Sequence, residues 1–344
     1  MIIESETIVK YPRVSVVIAT YNQVAYIEQT ILSAINQKTD FPFEIVVGDD
    51  GSNDGERELL IDIQKRYPQI VRLVFNEANL WVTRNYISAI KESRGLYIAS
   101  LDGDDIWTDV NKLQKQYDIL EYNSRVSLVH TGYRSFDSTS NKVVNVVNHW
   151  ESPLLNESGR HSVEQLLLCN FSSYPLGSSS MFRREVYLSE LNKYDALIND
   201  KGSVGEGTLL NVICANYGCY YFIETPMVDY RILSSSLSHF DSSRKHIDFS
   251  FRYIKHRIIA GECSGLNEAA LERVVAKGLS DLLKSAIASR QYIYFRYMTL
   301  LLKNDLSEYP NVVAICMSYR NSYKYFSTLF SMLLEKVARS FKQL

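Results

Sequence analysis

Leu96-Tyr97-Ile98-Ala99-Ser100-Leu101-Asp102-Gly103-Asp104-Asp105 joins an apolar run directly to a cluster of carboxylates. The apolar half reads as a strand buried on both faces. The acidic half begins where that strand stops. Two earlier stretches repeat the arrangement: Val14-Ser15-Val16-Val17-Ile18-Ala19 runs into Thr20-Tyr21-Asn22, and Phe43-Glu44-Ile45-Val46-Val47 into Gly48-Asp49-Asp50-Gly51. Between them lie helical patterns: Val24 to Gln37, with Ile27, Ile31, Ala34 and Ile35 in phase; Asp54 to Tyr67, stopped by Pro68; and Val82 to Ser93, closed by Gly95. Val71-Arg72-Leu73-Val74-Phe75 is a further strand. Alternating strands and helices with short turns predict an α/β fold with a mostly parallel sheet covered by helices on both faces. Such sheets bind ligands outside the carboxyl ends of their strands. Thr20-Tyr21-Asn22, Asp49-Asp50 and Asp102 to Asp105 are therefore predicted to meet on one edge.

Outward from this core the signal weakens. Residues from about Ser127 to Leu237 are irregular, with short strands expected among many Ser, Asn and Gly residues, and from Ser243 onward the pattern is helical. The predicted organisation is an α/β domain over 1–240 and a helical region over 241–344. Length and composition agree with a globular chain of about that division: 344 residues, 46% hydrophobic and 22% charged, net charge −2. That charge argues against bulk nucleic-acid binding, which shows as a strongly basic face. Cys169, Cys214, Cys219, Cys263 and Cys316 include no Cys-x-x-Cys pair, so reduced thiols in a reducing compartment are expected. The acidic start Met-Ile-Ile-Glu-Ser-Glu does not read as a secretory signal. No apolar run approaches the roughly 18–20 residues of a membrane span. The expected location is cytoplasmic, including the inner face of the membrane.

The turn after the first strand excludes one familiar chemistry. Ala19-Thr20-Tyr21-Asn22-Gln23 has no glycine, so backbone cannot approach a pyrophosphate as in a dinucleotide fold. There is no Gly-x-x-x-x-Gly-Lys-Ser/Thr and no Gly-x-Ser-x-Gly elbow, which removes P-loop and α/β-hydrolase readings. The carboxylates of Asp102, Asp104 and Asp105 repel one another unless a cation or ligand compensates. Hard oxygen donors suit Mg²⁺ or Mn²⁺ held by one or two carboxylates plus substrate phosphates. An EF-hand fails, because Ile106 and Leu113 stand where it needs ligands. By itself an Asp-x-Asp pair also fits a solvated acidic turn; the strand before it and the two companion clusters favour a site.

Val-Ser-Val-Val-Ile-Ala-Thr-Tyr-Asn, Val-Val-Gly-Asp-Asp-Gly-Ser-Asn-Asp and Tyr-Ile-Ala-Ser-Leu-Asp-Gly-Asp-Asp-Ile-Trp together resemble family 2 glycosyltransferases of the GT-A fold, over about residues 12–125. The resemblance implies that Thr20, Tyr21, Asn22 and Asp50 surround the nucleoside of a nucleotide-sugar, with Asp50 accepting a hydrogen bond from the base. Arg84 would lie beside nucleoside and diphosphate, Asp102 would touch the ribose, and Asp104 would ligate the metal bridging the phosphates. A second block supports it: Ser178-Ser179-Ser180-Met181-Phe182-Arg183-Arg184, Gly205-Glu206 before Leu209-Leu210, Tyr230-Arg231 and Ser236. In the family an acidic residue at the start of that helix is the catalytic base, often Asp; here it is Glu206. A first-turn acidic residue favoured by the helix dipole is the bland alternative. Many relatives carry a His where this chain has Leu233, so any contact from that position is missing. His239 falls near the predicted site. The Gln-x-x-Arg-Trp signature of processive synthases is absent, so one sugar per binding event is expected. The implied activity is a metal-dependent, inverting, hexosyltransferase-type reaction from a nucleotide-sugar, UDP-sugar by resemblance. The implied acceptor is a glycan or lipid-linked glycan in bacterial surface polysaccharide synthesis. Two readings from other classes stay open: a nucleotidyltransferase, and a non-catalytic sugar-binding or scaffold protein on the same fold.

Between Val312 and Leu344, Arg320, Lys324, Lys336, Arg339 and Lys342 stand against Glu335 alone, a net +4 in a chain that totals −2. Tyr325, Phe326, Leu329, Phe330, Leu333 and Val337 form one stripe at helical spacing. The stripe fits a helix packed on the protein, or an interfacial helix against an anionic membrane carrying a lipid-linked acceptor. Under the membrane reading, the chain co-sediments with anionic but not neutral liposomes at low salt, and deleting 318–344 abolishes this. Full-length protein that ignores anionic vesicles makes the helix structural.

Overall fold

The computed structural model describes residues 1–140, 142–150, 156–168, 175–200, 206–233 and 243–288. In chain order the strands are β1 (Ile2–Ile3), β2 (Val14–Thr20), β3 (Phe43–Asp49), β4 (Val71–Phe75), β5 (Tyr97–Asp102), β6 (Ile106–Trp107), β7 (Val126–Asp137), β8 (Val143–Val147), β9 (Met181–Arg183) and β10 (Cys219–Ile232). The helices are α1 (Ile27–Ile35), α2 (Glu56–Arg66), α3 (Val82–Glu92), α4 (Lys112–Tyr122), α5 (Arg160–Leu168), α6 (Arg184–Glu190), α7 (Asp195–Ile198), α8 (Glu206–Tyr217), α9 (Ser243–Cys263) and α10 (Glu268–Ala288). The chain divides into two compact units, Met1–His239 and Phe240–Leu344. In the second, α9 and α10 pack on each other. Gly205, Ser236, His239, Cys169, Cys316 and the basic stretch Val312 to Leu344 lie outside the described residues. No helix among the described residues is long and apolar enough to cross a membrane.

One mixed sheet organises the first unit, in the order β1-β4-β3-β2-β5-β9-β7-β10-β6, with β8 beside β7. The β-branched runs are continuous because the strands they form are covered on both sides. Alternate residues Val14, Val16 and Ile18 pack with Ile27 and Ile31 of α1, Leu60 and Ile63 of α2, and Leu113 and Leu120 of α4. Val17 and Val46, pointing the other way by the pleat, are equally buried, and α3 packs on β2 and β3. Strands β4, β3, β2 and β5 are parallel neighbours. The chain leaves β2 through β3 to β4, then crosses back to β5 on the other side of β2, and that reversal opens a crevice at the carboxyl ends. The register pairs Ala19 with Asp102 and Thr20 with Asp49. The three polar clusters therefore do share one edge, as the alternation predicts.

The middle of the chain differs from expectation. In place of short strands it contributes β7 of 12 residues and β10 of 14, paired in parallel. The register shifts between Ile223 and Pro226 and again between Pro226 and Val228. Those irregularities, around a proline that cannot donate to the ladder, hide a long strand from any period-2 reading. Strand β8 lies antiparallel on β7 and exposes Val143, Val144 and Val146.

Close packing under the crevice depends on Gly95, at the entry to β5. Its N–H donates to Ser15 Oγ at 2.8 Å, and that hydroxyl donates to the buried Glu44 at 2.7 Å. A Cβ there would overlap the Ser15 nitrogen and sit 2.6 Å from the Val14 carbonyl carbon. Gly95→Ala is expected to lower stability by about 1–3 kcal/mol, read as a reduced urea midpoint; an unchanged midpoint would show that the backbone has room to move.

Candidate active site

The floor of the crevice is the turn after β5. Asp102 opens onto the cleft, Asp104 is half-buried and Asp105 is buried. Protein mass around the cleft raises the carboxyls of all three above the ordinary aspartate value. For Asp104 burial is the main cause, with the charge of Asp102 next, and together they push it to about 6. Asp105 stands well above the usual range, through burial first and the charges of Asp104 and Asp102 after it. Ser178 steadies the cluster from a distant part of the chain. Its Oγ accepts the Asp102 N–H at 3.0 Å, donates to Asp105 Oδ2 at 2.5 Å, and lies 3.0 Å from Asp102 Oδ2. Trp107 fixes the Ser178 backbone, its indole N–H donating to the carbonyl at 2.8 Å.

Arg231, near the end of β10, closes the turn from the other side. Its backbone N–H donates to Asp105 Oδ1 at 2.9 Å, its Nε to the Asp104 carbonyl at 2.9 Å, and its Nη2 to Gln29 Oε1 at 3.1 Å. The guanidinium lies 4.7 Å from the ring centres of both Tyr26 and Phe136. A cation so confined offsets part of the acidic charge without entering the open cleft.

The nucleoside side, as the resemblance assigns it, is built from the turns after β2 and β3. Asp50 is buried and its Oδ1 accepts the Leu80 N–H at 2.8 Å and Asn76 Nδ2 at 3.1 Å. Asp49 is instead tied to Arg57 at 2.5 Å, so the two neighbours have separate partners. Asn22 sits in the left-handed region at φ 54° and its Oδ1 accepts the Asn53 N–H at 2.9 Å. It therefore ties two loops together and does not cap α1, whose N-cap is Tyr26. Tyr21 is exposed. Thr20 is buried and bonded to Glu56 and Gln23. Arg84 is exposed, its guanidinium donating to Asn199 Oδ1 at 2.6 Å, so its bonds run to the end of α7. Trp81, one residue before α3, has φ 71° and is exposed, a strained conformation for a bulky residue.

Glu206 opens α8. Its Oε2 is buried without a hydrogen-bond partner among the described residues. Burial, and next the charge of Asp102, push its carboxyl to about 7. Glu206 and Asp102 thus sense one another electrostatically. Sequence reasoning missed Glu56, Gln23, Asn76 and Asn85, a buried amide that donates to the Gly48 carbonyl at 2.8 Å. Their only sequence signal was proximity to the polar turns that end the parallel strands.

Hard carboxylate oxygens crowded until their affinity for protons rises are suited to a divalent cation. Among the described residues no three His, Cys, Asp or Glu are grouped to hold a metal unaided. A cation here would take Asp104, with Asp102 beside it, and complete its shell from a substrate's phosphates. Leu233 is buried and offers no donor.

A model of glycosyl transferase family 2 matches residues 15–188, just over half of the 344 residues. The chain belongs to this family, and its architecture is the GT-A fold. It is 34% identical over 122 residues to a putative teichuronic acid biosynthesis glycosyltransferase of Bacillus subtilis, covering 36% of this chain and 47% of that one. It is 28% identical over 218 residues to the chondroitin synthase of Escherichia coli, covering 62% and 30%. The chain spans less than half the length of these curated relatives. Among solved structures it resembles S. aureus TarS 1-349 in complex with UDP, with a TM-score of 0.55 at 16% identity, covering 90% of this chain and 91% of that one. At that identity the likeness concerns the fold.

The raised Glu206 carboxyl has a consequence for stability. Its folded-state value of about 7 lies above the ordinary 4.5, so the fold favours the neutral acid. That contribution is fully present below about pH 4.5 and is lost as pH rises through about 7. Glu206→Gln should match the wild type near pH 5 and exceed it by roughly 1–3 kcal/mol at pH 8. Parallel urea curves at both pH values would exclude a buried, neutral Glu206.

Proposed function

We propose that this chain is a metal-dependent glycosyltransferase that moves a sugar from a nucleotide-sugar to an acceptor hydroxyl with inversion. The observation that carries the reading is Glu206: a carboxylate with one buried, unpartnered oxygen, raised to about 7, sharing the electrostatic environment of the Asp102–Asp105 turn. A base poised near neutral pH takes a proton most effectively. In this reading Glu206 accepts the acceptor hydroxyl proton as that oxygen attacks the anomeric carbon from the face opposite the leaving nucleoside diphosphate. Asp50 accepts a hydrogen bond from the base, with Thr20, Tyr21, Asn22 and Arg84 around the nucleoside and diphosphate, and Asp102 on the ribose. Bound at Asp104, Mn²⁺ or Mg²⁺ would neutralise charge building on the departing diphosphate. Ser178 and Arg231 hold the acidic turn so that Asp104 need not reorganise during transfer.

UDP-sugar is the favoured donor, and a glycan or lipid-linked glycan of a bacterial surface polysaccharide the favoured acceptor. TarS is seen with UDP-GlcNAc in a structure of TM-score 0.53, and the B. subtilis relative is named for teichuronic acid biosynthesis. A peripheral position at the cytoplasmic face of the membrane fits such an acceptor. A nucleotidyltransferase would want a glycine-rich, basic first turn, and Ala19 to Gln23 has neither. A scaffold would have no use for an unpartnered buried acid at the cleft.

Nucleoside diphosphate release from a panel of nucleotide-sugars, with Mn²⁺ and with EDTA, tests the reading. Turnover should need the metal and vanish in Asp104→Ala without loss of folding. Glu206→Gln should lower turnover by about 10²–10⁴ while leaving donor affinity nearly unchanged. Equal wild-type activity in EDTA would remove the metal, and an unimpaired Glu206→Gln would remove the base.

A further inference from the structure

Behind the Thr20 turn lies a second buried carboxylate with no part in the transfer chemistry. Glu56, the first residue of α2, is fully buried and makes no ion pair among the described residues. Its Oε2 accepts the Gln23 N–H at 2.8 Å and the Ser52 hydroxyl at 2.9 Å. Its Oε1 is hydrogen-bonded to Thr20 Oγ1. That hydroxyl also lies 3.0 Å from Gln23 Oε1. Gln23 in turn hydrogen-bonds the Asp104 carboxylate.

These contacts fix the direction of every proton in the chain. A carboxylate only accepts, so Gln23 must turn its NH₂ toward Asp104 and its Oε1 toward Thr20. Gln23 Oε1 then needs the Thr20 proton, and a hydroxyl donates once. Thr20 can bond Glu56 only as an acceptor, so Glu56 Oε1 must carry a proton. Burial works the same way, raising the Glu56 carboxyl above its ordinary range. The approach that makes the chain continuous needs Gly103: a Cβ there would overlap Gln23 Oε1 and sit 2.7 Å from Thr20 Oγ1.

We propose that Glu56 is a positioning residue, acting as a hydrogen-bond donor through Thr20 and Gln23 to set the orientation of the Asp104 carboxylate. The proposal rests on Asp104 being the metal-binding residue. It assigns to Glu56 and Gln23 a task that a simple staple between loops would not have. The donor pattern also explains why an acid, and not its anion, suits this place. A glutamine at 56 offers an N–H where the acid offers O–H, and keeps the acceptor for Gln23 and Ser52.

Calorimetric titration of the full chain with UDP, with and without Mn²⁺, provides the test, with thermal unfolding alongside. Glu56→Gln should bind UDP·Mn²⁺ as the wild type does. Glu56→Ala and Gln23→Met should each weaken Mn²⁺-dependent binding by about tenfold, the scale of one hydrogen bond to a charged group. The double variant should be no weaker than Glu56→Ala, because both act on one chain. Gln23→Met decides the matter even where Glu56→Ala does not fold. Wild-type binding that depends on Mn²⁺ and survives Gln23→Met intact overturns the proposal, as do losses that multiply in the double variant. Wild-type UDP binding indifferent to Mn²⁺ removes the metal reading itself, and this proposal with it.

Discussion

Like charges confined in one cleft are the constraint around which the first unit is built. Asp102, Asp104 and Asp105 leave a single strand end, and Glu206 stands within their electrostatic reach. Left to themselves these carboxylates would either take up protons or push the turn apart. Neither is needed, because the surroundings supply donors on the protein side and leave the cleft side unsatisfied. Ser178, Arg231 and Gln23 each give N–H or O–H groups to the turn from behind. What remains is a concentrated demand for positive charge, directed toward whatever enters.

The stabilising groups are distant in sequence. Ser178 lies 76 residues from Asp102, and Arg231 lies 126 residues from Asp105. The acidic turn is written early in the chain but is completed only when β10 has paired with β7 and β6. Folding of the irregular middle is thus coupled to assembly of the site. The bulges in β10 occur shortly before the segment that delivers Arg231, where a strand must be aimed as well as paired.

Legibility in the sequence followed the same division. The first strands and helices were readable because burial on both sheet faces demands unbroken β-branched runs, and because each strand ended in an unmistakable polar cluster. Asp50, Asp102 and Asp104 were visible for that reason. Glu56 was not: a first-turn acid is ordinary at a helix start, and only the fold shows it sealed beneath Thr20. Asn22 read equally well as a helix cap, and the loop-tying role emerged only with its left-handed backbone. Lys112 carried no mark at all, yet it is fully buried, donating to Gln116 at 2.7 Å with its Nζ 4.2 Å from the Trp107 ring centre. Burial pushes its amine well below the lysine range. Such placements depend on tertiary packing that no local pattern encodes.

Strand β8 bears on how the protein behaves at high concentration. Its five residues, Val143 to Val147, carry no charge, and Val143, Val144 and Val146 face solvent. Uncharged, apolar edge strands are templates for pairing with a neighbouring chain, and proteins ordinarily guard them with lysines, prolines or bulges. Here the nearest guard is Lys142, just before the strand begins. Self-association through this ribbon would leave the crevice chemistry untouched while drawing molecules out of solution, so colloidal behaviour and catalytic competence are set by separate parts of one sheet.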